Sequence, residues 1–270
     1  MKTVIIRENI DDAAKLIQNG ELVAVPTETV YGLAGNGLDE NAVKNIYEVK
    51  GRPAIKPLAL MVPDSGEMER YCLEVPAAAK KLAEKFWPGP LSIVLKSKDI
   101  VPDIVRAGGD TVSLRCPDHP MTLKALELSG GPFAAPSANP SGEASPKNAG
   151  KVAEYFDGKI EGIIDGGECF CGLESTVISI VTEPAVLLRP GYITPKQIRE
   201  IIPDLEISNA VKERLKDGEK ALSPGMKHRH YAPKTLAEGI VGNSENATIY
   251  VNSLCLADGK KYGVMCYDEE

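Results

Sequence analysis

Between residues 4 and 202, short apolar runs alternate with segments of helical period, and most of these runs end in turns rich in Pro, Gly, Thr and Ser. Runs this short are of strand length, so the alternation requires a sheet with helices packed on it. The pattern predicts strands over 4–6, 22–25, 58–62, 91–95, 111–114, 133–135, 163–165, 176–181 and 186–188. Helices are predicted over 11–19, from a cap at Asp39 through 49, and over 67–73, 77–86 and 121–128. Two more are expected over 146–156, with a proline in its first turn, and over 194–202, capped by Thr194. The stretch 176–188 around Glu183-Pro184 reads as a hairpin, which makes a mixed α/β sheet the better expectation than a purely parallel one.

Beyond Pro203 the pattern weakens. Residues 208–218 suggest a charged helix, 223–233 a polar connector, and 248–251 and 262–266 two strands too few to bury a core of their own. The expected division is an α/β domain over 1–203, a linker over 204–233 and the start of an incomplete further domain over 234–270. With 38 acidic and 31 basic residues the formal net charge is −7, which argues against a DNA-coating protein. The N-terminus lacks a signal-peptide core and no apolar run reaches the ~18 residues of a membrane span, so a cytoplasmic location is expected. The cysteines at 72, 116, 169, 171, 255 and 266 show no repeated pair spacing and read as reduced thiols.

Most common catalytic signatures are absent. There is no Gly-x-x-x-x-Gly-Lys-Ser/Thr loop, and Gly32, Gly35 and Gly37 have the wrong spacing for a dinucleotide turn. Of the histidines at 119, 228 and 230, only His228 and His230 form a close pair, and a metal would need a carboxylate from elsewhere. What remains is a set of polar turns at strand ends. Lys50, Arg52 and Lys56 fall within seven residues, stiffened by Pro53 and Pro57, and fixed cations of this kind suit an oligophosphate. A solvated basic turn at a helix C-terminus accounts for the same residues. Arg115 ends a predicted strand on the same face as Thr111, where its fork could take a carboxylate or pair internally with Asp118 or Glu127. Ala135-Pro136-Ser137-Ala138-Asn139-Pro140-Ser141-Gly142 could cradle phosphate oxygens or simply be a tight turn.

Taken in order, Pro26–Leu33, Lys50–Pro53, Pro136–Gly142, Glu174–Val177 and Leu188–Gly191 resemble the motifs of the YrdC-domain family, and Ser223–Pro233 resembles the linker of its two-domain members. The resemblance implies a three-layer fold with a twisted mixed sheet around a deep basic cavity, followed by a linker and part of a Rossmann-like domain. It implies synthesis of threonylcarbamoyl-AMP and pyrophosphate from L-threonine, bicarbonate and ATP with Mg²⁺. Partner proteins would then transfer the threonylcarbamoyl group to tRNA. Lys50 and Arg52 would be catalytic. Arg52, Lys56, Thr111, Ser137, Asn139, Ser145, Arg189, His230 and Tyr231 would hold ATP. Thr29, Arg115, Ala135 and Ser175 would hold L-threonine, with Met61 standing where many relatives have a histidine. A noncatalytic module for structured RNA is the competing class; the acidic balance and 5% aromatic content weaken it. Carbamoyl transfer in hydrogenase maturation is a third, and the paired zinc-binding cysteines that accompany it are missing from this sequence.

Overall fold

The computed structural model describes residues 2–212. The chain divides into two units, Met1–His230 and Tyr231–Glu270, and every described residue belongs to the first. The predicted connector over 223–233 and both terminal strands, together with His228, His230, Tyr231, Cys255 and Cys266, lie outside the described residues. So does all but the first turn of the predicted charged helix.

The strands are β1 (Val4–Ile6), β2 (Val23–Val25), β3 (Gly32–Asn36), β4 (Ala59–Met61), β5 (Leu91–Lys96), β6 (Thr111–Arg115), β7 (Phe133–Ala134), β8 (Gly162–Ile164), β9 (Thr176–Ser179), β10 (Val186–Arg189) and β11 (Glu206–Ile207). The α-helices are α1 (Ile10–Gln18), α2 (Glu40–Lys50), α3 (Met68–Tyr71), α4 (Ala77–Phe86), α5 (Asp103–Arg106), α6 (Pro120–Ser129), α7 (Ala149–Phe156), α8 (Pro195–Arg199) and α9 (Asn209–Lys212). They surround one mixed sheet in the order β1-β8-β2-β3-β7-β4-β6-β5-β9-β10-β11. Pairing is parallel where a helix intervenes, as in β4–β6 and β5–β9, and antiparallel where a short connection suffices, as in β2–β3 and β9–β10. The hairpin around Glu183-Pro184 is present, with that peptide bond cis.

Local chemistry explains the helix ends. The Asp39 side chain accepts from the Asn41 and Ala42 amides to start α2, and Gly51 ends it in the left-handed region. Thr194 and Gln197 close a capping box on α8. The helix expected from residue 146 instead begins at Ala149, because the Asn148 side chain caps the Lys151 amide. Pro146 is then left outside, and its carbonyl accepts from the Tyr31 amide. The helix expected over 67–73 is a 3₁₀ turn at Ser65–Glu67 running into the short α3.

Strand β3 was not expected, because Gly32 and Gly35 give it little strand propensity. Packing decides it: a Cβ on Gly35 would come within 2.9 Å of Leu22 Cδ2. With glycine there, β3 lies flat between β2 and β7. The short α5 and β11 were also missed, each too brief to carry a period.

The larger core packs one face of the sheet against α2, α4, α7 and α8, through Ile46, Leu82, Phe156 and Ile198. On the other face a second core joins α1 and α6 to β1, β2, β3, β7 and β8, and reaches as far as Met61 on β4. Helices on both faces make three layers at that end. Beyond β4 the second face carries Arg115, Ser113 and Thr111 of β6, Val94 of β5 and Ser179 of β9 in register with one another. Val94, Val177 and Leu188 form a small separate apolar cluster there. The polar strand residues therefore begin where the α1–α6 layer stops.

Candidate active site

Two clusters meet at this boundary. The first gathers around the end of α2. Lys50 is buried, and its ammonium donates to the backbone carbonyls of Ser137 and Asn139, while its own carbonyl accepts from the Ser141 amide. Burial and the adjacent Arg52 charge pull the ammonium down to about 7, against the attraction of Glu174. Arg52 donates to the Pro57 carbonyl at 3.1 Å, and its Nε is buried without a hydrogen-bond partner. Burial also lowers Arg52; Tyr47 opposes that shift and Arg189 adds to it. Lys56 is lowered by burial and by Arg52.

Arg52 thus stands among Lys50, Lys56 and Arg189, each repelling it, while Glu174 attracts Lys50. Partly desolvated cations gathered in one place suit an anion. The turn over 136–142 borders them and is held from three sides. The Leu33 amide donates to the Pro136 carbonyl at 2.7 Å, the Ala138 amide donates to the Tyr31 carbonyl at 2.7 Å, and Lys50 holds the third side. The Asn139 amide group donates to the Pro140 and Glu143 carbonyls, leaving its buried Oδ1 without a partner. Ser137 keeps its hydroxyl free of hydrogen bonds to described residues. Ser145 donates to Glu174 Oε1 at 2.6 Å, and Glu174 Oε2 is buried with no partner.

Arg189 joins this cluster from β10. Its guanidinium donates to the Ser175 carbonyl from Nε and Nη2, and Nη2 also reaches the Ser175 hydroxyl at 3.1 Å. That hydroxyl shares a 2.8 Å hydrogen bond with Ser92. Gly191 makes the arrangement possible, since a Cβ there would lie 2.5 Å from the Thr176 amide nitrogen and 2.6 Å from the Glu174 carbonyl oxygen.

The second cluster centres on Arg115 at the end of β6. Its Nε donates to the Gly89 carbonyl at 3.3 Å and its Nη2 to the Thr29 hydroxyl at 2.9 Å. Thr29 in turn donates to Thr27, which donates to the Val30 carbonyl, so the Thr29 proton is committed and its oxygen can only accept. Arg115 does not pair with Asp118 or Glu127. Its acidic neighbour is Glu28, with Oε1 2.7 Å from Nη2 and both side chains about nine-tenths buried. Asp118 contributes only its backbone amide, which donates to Glu28 Oε2 at 2.9 Å. Sequence order favoured near neighbours, whereas the hairpin β2–β3 brings Glu28 across from another part of the chain.

Met61 lies beside Arg115 in register across β4 and β6. A Cβ on Gly32 would touch Met61 Cε, Ala135 Cβ and the Pro136 carbonyl at 3.4 to 3.6 Å, so this glycine lets Met61 lie close to the turn that Lys50 holds. The structure therefore unites Lys50, Arg52, Lys56, Ser137, Asn139, Ser145, Ser175 and Arg189 around one cationic centre. Thr29, Met61, Ala135 and Arg115 gather beside it. Thr111 shares the Arg115 face but stands roughly 13 Å along the strand at about 3.3 Å per residue, and no hydrogen bond joins its side chain to either cluster. The residues missed from the sequence are Glu28 and Glu174, both inside quoted motifs, where a carboxylate among cations was the available signal.

A family model covering Sua5, YciO and YrdC proteins, described as telomere recombination, matches residues 15–191. The chain belongs to the Sua5/YciO/YrdC family. A model described as the threonylcarbamoyl-AMP synthase C-terminal domain matches residues 193–270. Within this family, the threonylcarbamoyl-AMP synthase of Pyrococcus abyssi is 47% identical over 268 residues, covering 96% of this chain and 78% of that protein. The threonylcarbamoyl-AMP synthase of Bacillus subtilis is 42% identical, covering 97% and 75%. The crystal structure of P. abyssi Sua5 complexed with L-threonine superposes with a TM-score of 0.88 at 45% identity, covering 99% of this chain and 82% of that one. The mixed-sheet α/β fold expected of the family is thus the fold of this chain.

Proposed function

We propose that this protein joins L-threonine, bicarbonate and ATP into threonylcarbamoyl-AMP and releases pyrophosphate. The observation that carries the reading is a group of partly desolvated cations around the 136–142 turn, with Met61, the sheet neighbour of the Arg115–Thr29 pair, set against that turn across Gly32. Its similarity to threonylcarbamoyl-AMP synthases, and to a threonine-bound structure, supports the same assignment.

In this mechanism the threonine amine attacks the carbon of bicarbonate or CO₂, and a carbamate oxygen attacks the α-phosphorus of ATP in line. The bond to the β-phosphate breaks and pyrophosphate leaves. No side chain needs to act as a covalent nucleophile; alignment and charge neutralisation provide the acceleration. Arg52, Lys56 and Arg189 hold the phosphates. Lys50 spends two of its three donors on the 136–142 turn, fixing the amides and hydroxyl that face them. Arg115 takes the threonine carboxylate, with Thr29 accepting from a substrate donor and Met61 and Ala135 as its apolar wall.

Among the described residues no group of three or more His, Cys, Asp and Glu side chains could hold a metal alone. The buried, unpartnered Glu174 Oε2 is a hard donor among the cations and suits a Mg²⁺ that arrives on ATP. When bound, Mg²⁺ neutralises phosphate charge. Residues 1–203 serve as the catalytic domain in this reading, 204–233 as a linker and 234–270 in a further domain. The product passes to transferase proteins acting on tRNA in the cytoplasm. No helix among the described residues is long and apolar enough to cross a membrane.

The test is pyrophosphate release from ATP by the full chain, with and without threonine and with and without added bicarbonate. Release that needs both is expected. Retention of structured RNA with no threonine-dependent release would instead favour a noncatalytic module.

A further inference from the structure

Glu28 has a buried carboxylate oxygen with no directional hydrogen bond, although it lies 2.7 Å from an Arg115 nitrogen. The ionic contact lies off the N–H axes of Nη2, which also donates to Thr29. The other oxygen, Oε2, is fixed by the Asp118 amide. That bond sets the carboxylate orientation and leaves Oε1 turned towards the guanidinium. Buried acceptors normally find a donor, and an unsatisfied one has a reason to persist at a binding site. Arg115 has an unused end as well: Nη1 makes no hydrogen bond to a described residue.

An α-amino acid zwitterion presents a carboxylate and an ammonium on the same carbon. Arg115 Nη1 and Glu28 Oε1 form the complementary pair, with Thr29 Oγ1 as a second acceptor beside them. A deaminated acid could use the guanidinium but would leave Oε1 without a directional hydrogen bond. Resting on the amino-acid site proposed above, we propose that Glu28 binds the α-ammonium of the substrate and takes its proton.

The proton inventory requires such a group. An ammonium has no lone pair, so R-NH₃⁺ must first become R-NH₂. Glu28 accepts that proton as Glu-COO⁻ becomes Glu-COOH. The amine lone pair then forms the C–N bond to bicarbonate, and the carbon–hydroxyl bond breaks. The departing hydroxide combines with the second nitrogen proton as water, leaving R-NH-COO⁻. Glu28 afterwards returns its proton to solvent. Nothing is oxidised or reduced.

The test compares wild type, Glu28→Gln and Glu28→Asp in the full chain. Calorimetry measures binding of L-threonine and of (2S,3R)-2,3-dihydroxybutanoate, in which a hydroxyl replaces the ammonium. Wild type is expected to prefer threonine by at least about tenfold, the scale of one hydrogen bond to a charged group. Glu28→Gln should lose that preference while keeping its affinity for the hydroxy acid. Pyrophosphate release at saturating threonine should fall by about 10²-fold or more, with partial recovery in Glu28→Asp. Equal affinity of wild type for both ligands, or an unchanged threonine preference in Glu28→Gln, would overturn the proposal; the wild-type comparison decides even if the variant does not fold. A wild type that binds no threonine would overturn the functional reading itself.

Discussion

Replacing Arg52 with alanine separates binding from folding at this site. In the folded protein the guanidinium makes one hydrogen bond to the Pro57 carbonyl and contacts Tyr47, while Lys50, Lys56 and Arg189 repel it. Losing those contacts costs about 1–2 kcal/mol. Relief of repulsion from the neighbouring cations offsets part of this, so stability should change by no more than about 1 kcal/mol. Binding has no such compensation, because the phosphate loses a charge-assisted hydrogen bond worth about 1.5–3 kcal/mol. That corresponds to about a 10- to 150-fold weaker grip on nucleotide. Urea unfolding measures the first quantity, and calorimetry with a nonhydrolysable ATP analogue and Mg²⁺ measures the second. Affinity within threefold of wild type would refute the phosphate role. A stability loss above about 3 kcal/mol would show instead that Arg52 braces the fold.

The remaining predictions test the other parts of the site. Arg115→Ala should raise the threonine requirement by about 100-fold and leave that for ATP nearly unchanged, as read from steady-state pyrophosphate release; equal effects would contradict its place on the amino-acid side. The Lys50 ammonium, held down to about 7, is largely neutral in the free protein above that pH, and phosphate restores its charge. ATP binding should therefore take up a proton and weaken as pH rises from 7 towards 9, by at most about tenfold per unit. Calorimetry in buffers of different ionisation enthalpy detects the uptake, which Lys50→Met should abolish. Gly191→Ala would drive a Cβ into the Thr176 and Glu174 backbone, and should destabilise by at least about 2 kcal/mol in urea unfolding.

Apolar runs and their turns were enough to read most elements, because strand length and helical period are local. Helix α4 falls on its predicted bounds, and Asp39 and Thr194 cap as their side chains dictate. The same locality hid β3, whose glycines look like turn residues until the Leu22 side chain needs the room a Cβ would fill. It also placed the start of α7 at a proline, although the Asn148 side chain gives the backbone a better start.

The sequence by itself determined which residue types were available: cations stiffened by prolines, an arginine closing a strand, hydroxyls and an amide in a proline-bounded turn. Tertiary structure decided their company. It set Glu28 beside Arg115, drew Arg189 to the Lys50–Arg52 group, and turned two of the Lys50 donors inward onto the Ser137 and Asn139 carbonyls. The reason is range: propensity and capping act over a few residues, whereas burial and charge depend on which distant strands share a face, and that is fixed only once the sheet has assembled.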